Sequence, residues 1–276
     1  MWIEKRIEQC VQGQTASDGA GVKLRRIITS EHHHRLDPWL MLDEFGSDKA
    51  DDYIAGFPPH PHRGFETITY MLAGRMEHQD NRGNKGVVEA GGVQWMRAGK
   101  GIIHSEMPAQ EARLMRGFQF WLNLPSEQKM SEPAWADIAA KDVPLFTAQG
   151  YQVKVIAGKF ADFVGPIQRE VTQPRILDVV VGEAKTLSFD IDFGHHAYCY
   201  VYDGAIDVGE MRLQVAEMGI LSQEGDEFVL TAQTNTRFLL VSGKPLNQPI
   251  VAGGPFVMNS EAEIRQAFSD YRAGRF

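Results

Sequence analysis

Tyr70-Met-Leu-Ala-Gly74-Arg-Met-Glu77 recurs as Tyr200-Val-Tyr-Asp-Gly204-Ala-Ile-Asp207, an offset of 130 residues. Further along, Val88-Glu-Ala-Gly-Gly92-Val matches Val215-Ala-Glu-Met-Gly219-Ile at an offset of 127, as if the second copy had a shorter hairpin loop. Repetition of this kind points to two copies of one supersecondary unit. Around both copies the chain alternates with period two, as in Phe118, Phe120, Leu122 and Leu124 set against Gln119, Trp121 and Asn123. That is the pattern of strands with one buried face. The runs are punctuated by Asp80-Asn-Arg-Gly-Asn-Lys-Gly86, Gly91-Gly92 and Gly99-Lys100-Gly101, turn signals of an all-β sandwich or barrel.

Two segments read as helix. In the tail, Ser260 and Glu263 form a capping-box pattern, and Ile264, Ala267, Phe268 and Tyr271 follow as one apolar stripe. The segment Ala134 to Ala140 is a weaker helical reading. The polar stretch Ser126 to Lys141, with Pro133, reads as a linker. The expected domains are therefore 1–132, a first barrel; 143–250, a second barrel; and 251–276, a C-terminal segment whose helix docks rather than waving free.

The 276 residues carry 28 Lys and Arg against 36 Asp and Glu, a formal charge of −8. A chain of that sign makes a poor nucleic-acid binder, since phosphate contacts need a basic face. Lys23-Leu-Arg25-Arg26 alternates and reads as a strand rather than a basic localisation tract. No run approaches the roughly 20 apolar residues of a membrane span, and Met1 to Arg6 opens no leader-like apolar stretch. Cys10 and Cys199 cannot build a disulfide framework and fit the reduced thiols of a cytoplasmic chain.

Histidine carries the chemistry. Gly56-Phe-Pro-Pro-His60-Pro-His62-Arg-Gly-Phe-Glu66 opens the first copy, and Gly99-Lys-Gly101-Ile-Ile-His104-Ser-Glu106 closes it. Residues i and i+2 of a strand share a face, so His60 projects with His62, and His104 with Glu106. If the two strands are neighbours, three imidazoles and a carboxylate converge on an open transition-metal site. The densest cluster, His32-His33-His34, precedes Asp37-Pro38 and reads as a solvated loop. At the repeat offsets His60 and His62 fall on Asp190 and Asp192, and His104 and Glu106 on Thr231 and Gln233, so the second copy lacks the ligands. His195 and His196 have no partner pair downstream and read as structural or pocket-rim residues.

At these residues the sequence resembles the pirin family, a bicupin branch of the cupin superfamily of double-stranded β-helix barrels. The matching stretches are Leu36-Asp-Pro-Trp-Leu-Met-Leu-Asp-Glu-Phe45, Pro59-His-Pro-His-Arg-Gly-Phe-Glu-Thr67, Gly83-Asn-Lys-Gly86, Gln94-Trp-Met96, Gly101-Ile-Ile-His-Ser-Glu-Met-Pro108 and Trp121-Leu-Asn-Leu-Pro125. They cover roughly residues 20 to 125. The resemblance implies two cupin barrels in tandem, with one metal in the first held by His60, His62, His104 and Glu106. Fe(II) is the expected ion, with Mn, Ni, Cu or Zn as alternatives. Gly99 stands where general cupins carry Pro, and Pro108 where they carry Asn. Glu66 sits where many cupins place a ligand, and is expected instead to orient an imidazole. His78 is expected to line the pocket, and Phe65, Met96 and Met107 to wall it.

The activity implied is that of a quercetinase-like flavonol 2,3-dioxygenase, with a flavonol-like small molecule and O2 as partners and Glu106 as general base. The competing reading is a metal-dependent interaction or redox-sensing regulator that modulates a metabolic enzyme or transcription factor through a protein partner. Neither reading calls for direct nucleic-acid or membrane contact.

Overall fold

The computed structural model describes residues 3–110 and 113–276. Met1 and Trp2, which open the stretch read above as lacking a leader, lie outside the described residues. The chain forms two units. One comprises residues 14–34, 39–142 and 246–276, and the other residues 1–13, 35–38 and 143–245.

In the first unit a seven-stranded antiparallel sheet runs in the order Ala134–Ile138, Val93–Arg97, Phe65–Ala73, Met115–Asn123, Trp39–Ser47, Val22–Ile28, Gln14–Asp18. A four-stranded sheet runs Phe57–His62, Ile102–Pro108, Arg75–Asp80, Lys85–Glu89. The two meet in a core where Val22, Leu24, Phe45 and Met71 of the larger sheet pack with Met76 and Val88 of the smaller. The second unit repeats this plan. Its four-stranded sheet runs Lys185–Asp190, Glu227–Ala232, Ala205–Val208, Met211–Gln214, the same order of chain segments. The all-β tandem of cupin barrels expected from the sequence is the observed fold, with its C-terminal helix at Glu261–Arg272.

Three local expectations change. Ala134 to Ala140 is not helical: Ala134–Ile138 is a strand that pairs along its length with Val93–Arg97. Alanine's helix propensity is a few tenths of a kcal/mol per residue, and a complete edge ladder outweighs it. The presumed linker therefore supplies an edge strand of the first barrel. At the chain's start, Ile7–Gln12 pairs with Glu217–Leu221 and belongs to the second unit, while residues 246–276 belong to the first.

The third change concerns the repeat. Gly74 and Gly204 occupy matching hairpin turns, at φ +82° and +76°. From that anchor, the amides of Gly91 and Ala216 each bond to the matching carbonyl, Met71 O and Val201 O, and both residues have positive φ. The second hairpin is thus five residues shorter, not three. Carrying the pairing across, Met76 faces Pro108 as Ile206 faces Ala232. The positions matching His104 and Glu106 are then Phe228 and Leu230. Those matching His60 and His62 are Phe189 and Ile191. All four are buried in the apolar core of the second barrel. Asp190 and Asp192 are exposed, one residue off the inward register, because a one-residue slip exchanges the faces of a strand. The absence of ligands in the second copy stands, with a different set of residues replacing them.

Candidate metal centre

His60 and His62 lie on the edge strand Phe57–His62, whose Pro58-Pro59-His-Pro61 run suits an edge because proline cannot donate to a ladder. The neighbouring strand pairs Ile102 with His62 and His104 with His60, so His104 stands directly across from His60 on the same face. The three ring centroids are 4.4 to 5.0 Å apart, and one ligand atom from each ring falls within 4.8 Å of the others. Among the described residues this is the group of His, Cys, Asp and Glu side chains spaced to hold a metal.

The hydrogen bonds set the tautomers. His60 Nδ1 lies 2.8 Å from Pro58 O, and His62 Nδ1 3.4 Å from Pro255 O, so each ring donates through Nδ1 and keeps Nε2 as a lone pair. His104 Nδ1 is 3.4 Å from His78 Nδ1, while His104 Nε2 is buried with no hydrogen-bond partner. Burial, followed by the charge of His60, holds the His62 ring down at about 3. Burial and then the neighbouring imidazoles hold His104 well below its ordinary value. Two rings are therefore neutral lone-pair donors at neutral pH, one with a nitrogen left orphaned in the interior. Such a donor set fits a borderline transition metal.

Glu106 follows a bulge in the register: it faces Phe57 on one side and His78 on the other. It lies outside the tight imidazole group but lines the same cavity as His60 and His62. Its carboxylate is held in a ring of hydrogen bonds. Gln119 Nε2 donates to Oε2 at 3.2 Å, and Thr69 Oγ1 lies 3.1 Å from Oε1 and 2.5 Å from Gln119 Oε1. Thr69 has one proton for these two acceptors. The shorter contact, to Gln119, takes it and leaves the hydroxyl oxygen free to accept a proton carried by Glu106.

The cavity measures about 880 Å³ and opens onto His60, His62, Glu106 and Gln119. Its apolar wall is built by Leu24, Leu40, Phe45, Phe57, Met76 and Trp121 rather than by the residues expected. Phe65 packs behind His62 with Leu40, Trp121 and Val257. Met96 is buried with Ala98, Ile102 and Trp135, and Met107 packs over Gly56. Met107 follows Glu106 on its strand and so points to the opposite face, while Phe65 and Met96 lie on strands that carry no ligand, which is why that inference failed.

Other expectations resolve on the same ground. Glu66 alternates against Phe65, Thr67 and Thr69 on its strand; since Thr69 points to Glu106, Glu66 faces away from the site. The imidazole Nδ1 atoms are held instead by Pro58, Pro255 and His78. His78 is fully buried behind His104, where a lining role was expected. In the triple-histidine run His34 is exposed, but His33 is buried: its Nε2 bonds Leu40 O at 2.9 Å and the residue borders the cavity. His195 and His196 are buried and bonded to Gln173 and Gln223, structural roles within the second unit. Sequence reasoning missed Thr69, Gln119, Trp121, Asp80 and Pro255. The spacing of His78 and Asp80, i and i+2 on one strand, was a legible signal, whereas Pro255 comes from the far end of the chain.

The chain matches the Pirin family model over residues 21–122 and the Pirin C-terminal cupin domain model over residues 176–276. It is 49% identical over 95% of its length to a Pseudomonas aeruginosa protein, 94% of which is covered, named provisionally as a quercetin 2,3-dioxygenase. It is 44% identical, over 96% of this chain and 97% of the other, to a pirin-like protein of Caulobacter vibrioides. A crystal structure of quercetin 2,3-dioxygenase from Acinetobacter baumannii superposes with a TM-score of 0.92 at 34% identity, covering 99% of both chains.

Proposed function

The chain belongs to the pirin family, and from that premise we propose that its first barrel is a metal-dependent dioxygenase opening a flavonol, of the quercetin 2,3-dioxygenase type. The observation that carries the reading is the orphaned, buried Nε2 of His104 within a group of three imidazoles at the end of an apolar cavity. The names of the Pseudomonas and Acinetobacter proteins support it. The net reaction converts flavonol and O2 to the ring-opened phenolic ester and carbon monoxide.

His60, His62 and His104 would hold the ion through Nε2, with Glu106 as the fourth ligand. Fe(II), or another redox-active ion in its place, would supply a Lewis acid for the substrate's hydroxyl and electrons for O2. The protein does the rest. Phe57, Trp121 and Leu24 give an aromatic ligand an apolar wall in a cavity of drug-sized volume. Glu106 takes the proton of the flavonol 3-hydroxyl on Oε1. The proton stays on Oε1, where it is donated to Thr69 Oγ1, while Thr69 donates to Gln119 Oε1 and Gln119 Nε2 to Oε2, so the protonated carboxyl strands no polar group. Gln119, also on the cavity wall, fixes the carboxylate's plane. The free thiols Cys10 and Cys199 accord with work in a reducing cytoplasm.

The test is oxygen uptake by the iron-loaded protein with a flavonol panel, with carbon monoxide captured in parallel. Uptake matched by carbon monoxide, mole for mole, supports the reading. Protein carrying a full metal equivalent that consumes no oxygen with any flavonol overturns it.

A further inference from the structure

We propose that His78 and Asp80 are positioning residues that fix the tautomer and ring plane of His104, and thereby set the affinity of the three-imidazole site for its metal. The proposal rests on the reading of that site as a metal centre. It adds two residues that touch neither the ion nor the cavity.

The geometry is a buried relay. His104 Nδ1 and His78 Nδ1 are 3.4 Å apart, and His78 Nε2 is 3.5 Å from Asp80 Oδ2. Two ring nitrogens at that separation need one proton between them. If His104 is to offer Nε2, its proton must sit on Nδ1 and point at His78. His78 then accepts at Nδ1 and carries its own proton on Nε2, toward Asp80. The terminus is anchored: Asp80 accepts from Arg82 N at 2.9 Å, Asn84 N at 3.0 Å and Asn84 Nδ2 at 2.8 Å. The plane of His78 is fixed by stacking on Trp135, centroids 5.5 Å apart at 19°. Every link is turned one way by this anchor. Metal-binding imidazoles are characteristically held through the opposite nitrogen in this manner.

The second barrel supplies an internal comparison. Offset from the Gly74 and Gly204 turns, His78 corresponds to Val208, a member of that barrel's apolar core. There the ligand positions are Phe189, Ile191, Phe228 and Leu230. Where the ligands have been replaced by hydrocarbon, the relay position has been too. A histidine and a carboxylate with fully buried side chains are costly in a barrel, and Val208 shows that the fold does not need the histidine there; the second hairpin, five residues shorter, has no core position matching Asp80.

The experiment uses the full-length chain with His78→Phe, which keeps a ring to stack on Trp135 but deletes the acceptor, and Asp80→Asn, which weakens the anchor. Metal affinity is read by chelator competition with Fe(II) or Ni(II). The His104 tautomer is read by nitrogen-15 NMR of the metal-free protein. We expect metal affinity to fall roughly 10–100-fold in His78→Phe and less in Asp80→Asn, with His104 losing its Nδ1–H form in both. Wild-type affinity and an unchanged tautomer in either folded variant overturn the relay while leaving the metal centre intact. A wild-type chain that binds neither ion overturns both.

Discussion

The Nδ1 atom of His62 stands 3.4 Å from the carbonyl oxygen of Pro255, 193 positions later in the chain. One imidazole of the metal centre is thus held by the C-terminal segment. The next residue repeats the theme. Arg63, almost wholly buried, donates to Asp270 at 2.8 Å and to Lys100 O at 2.6 Å, and lies 4.4 Å from the centre of the Phe276 ring. Lys129, also buried, donates to Gly64 O, Asn123 Oδ1 and Val257 O, tying the tail to the turn that follows the ligand strand.

Truncation before Asn259 is therefore expected to lower both the melting temperature and the metal content. Ile264 and Ala267 are buried against Phe256 and Met258, with Phe268 packed beside them. Burying one large apolar side chain contributes about 1.5–3 kcal/mol. An unchanged melting temperature in the truncated protein would show that the helix does not dock.

Asp270 makes that docking pH-dependent. Hydrogen bonds from Arg63, then Arg275 and Gln266, hold its carboxyl well below the ordinary carboxylate range. A group depressed on folding contributes stability that is complete above the unfolded value of about 3.9 and drains away as pH falls below it. Asp270→Asn should thus be less stable than wild type by a constant gap above about pH 5, about 1.5–3 kcal/mol for a hydrogen bond to a charged group. The gap should narrow in acid. Equal melting temperatures at pH 7, or a gap undiminished at pH 3, contradict this.

The architecture and the three imidazoles were legible because both rest on period-two arithmetic: His60 and His62 share a face, and the Gly-punctuated copies at Tyr70 and Tyr200 announce two barrels. What failed depended on register and on distance. Asp190 and Asp192 were aligned with the ligands by carrying the Gly74–Gly204 offset back across a segment that is one residue longer in the second copy, and that slip of one residue moved them from core to solvent. Ala134 to Ile138 was misread because its partner, Val93–Arg97, decides its state. Pro255 and Asp270 could not be read at all, since nothing local marks a tail as part of a site at the other end of the chain.

The corrected register makes the second barrel's outward carboxylates a control. The Asp190 carboxylate accepts from Arg175 Nη1 at 3.1 Å, and its side chain is 63% exposed. Asp190→Ala combined with Asp192→Ala should leave metal content and flavonol turnover at the wild-type level. Loss of a metal equivalent in that double variant, with the imidazole site still filled, would place a second ion in the second barrel.

Glu106→Gln separates holding the metal from moving the proton. The amide keeps the size of the side chain but cannot accept the substrate's proton. Turnover is expected to fall by roughly 10²–10⁴-fold, the usual worth of a positioned acid–base group, with metal occupancy reduced far less. A variant that keeps both metal and full turnover removes Glu106 as the base.

The central claim is a single transition-metal centre built on His60, His62 and His104, and elemental analysis of the wild-type protein beside His104→Ala tests it most directly. The prediction is one equivalent per chain in the wild type and essentially none in the variant. Two equivalents in the wild type, or full occupancy in His104→Ala, would contradict it.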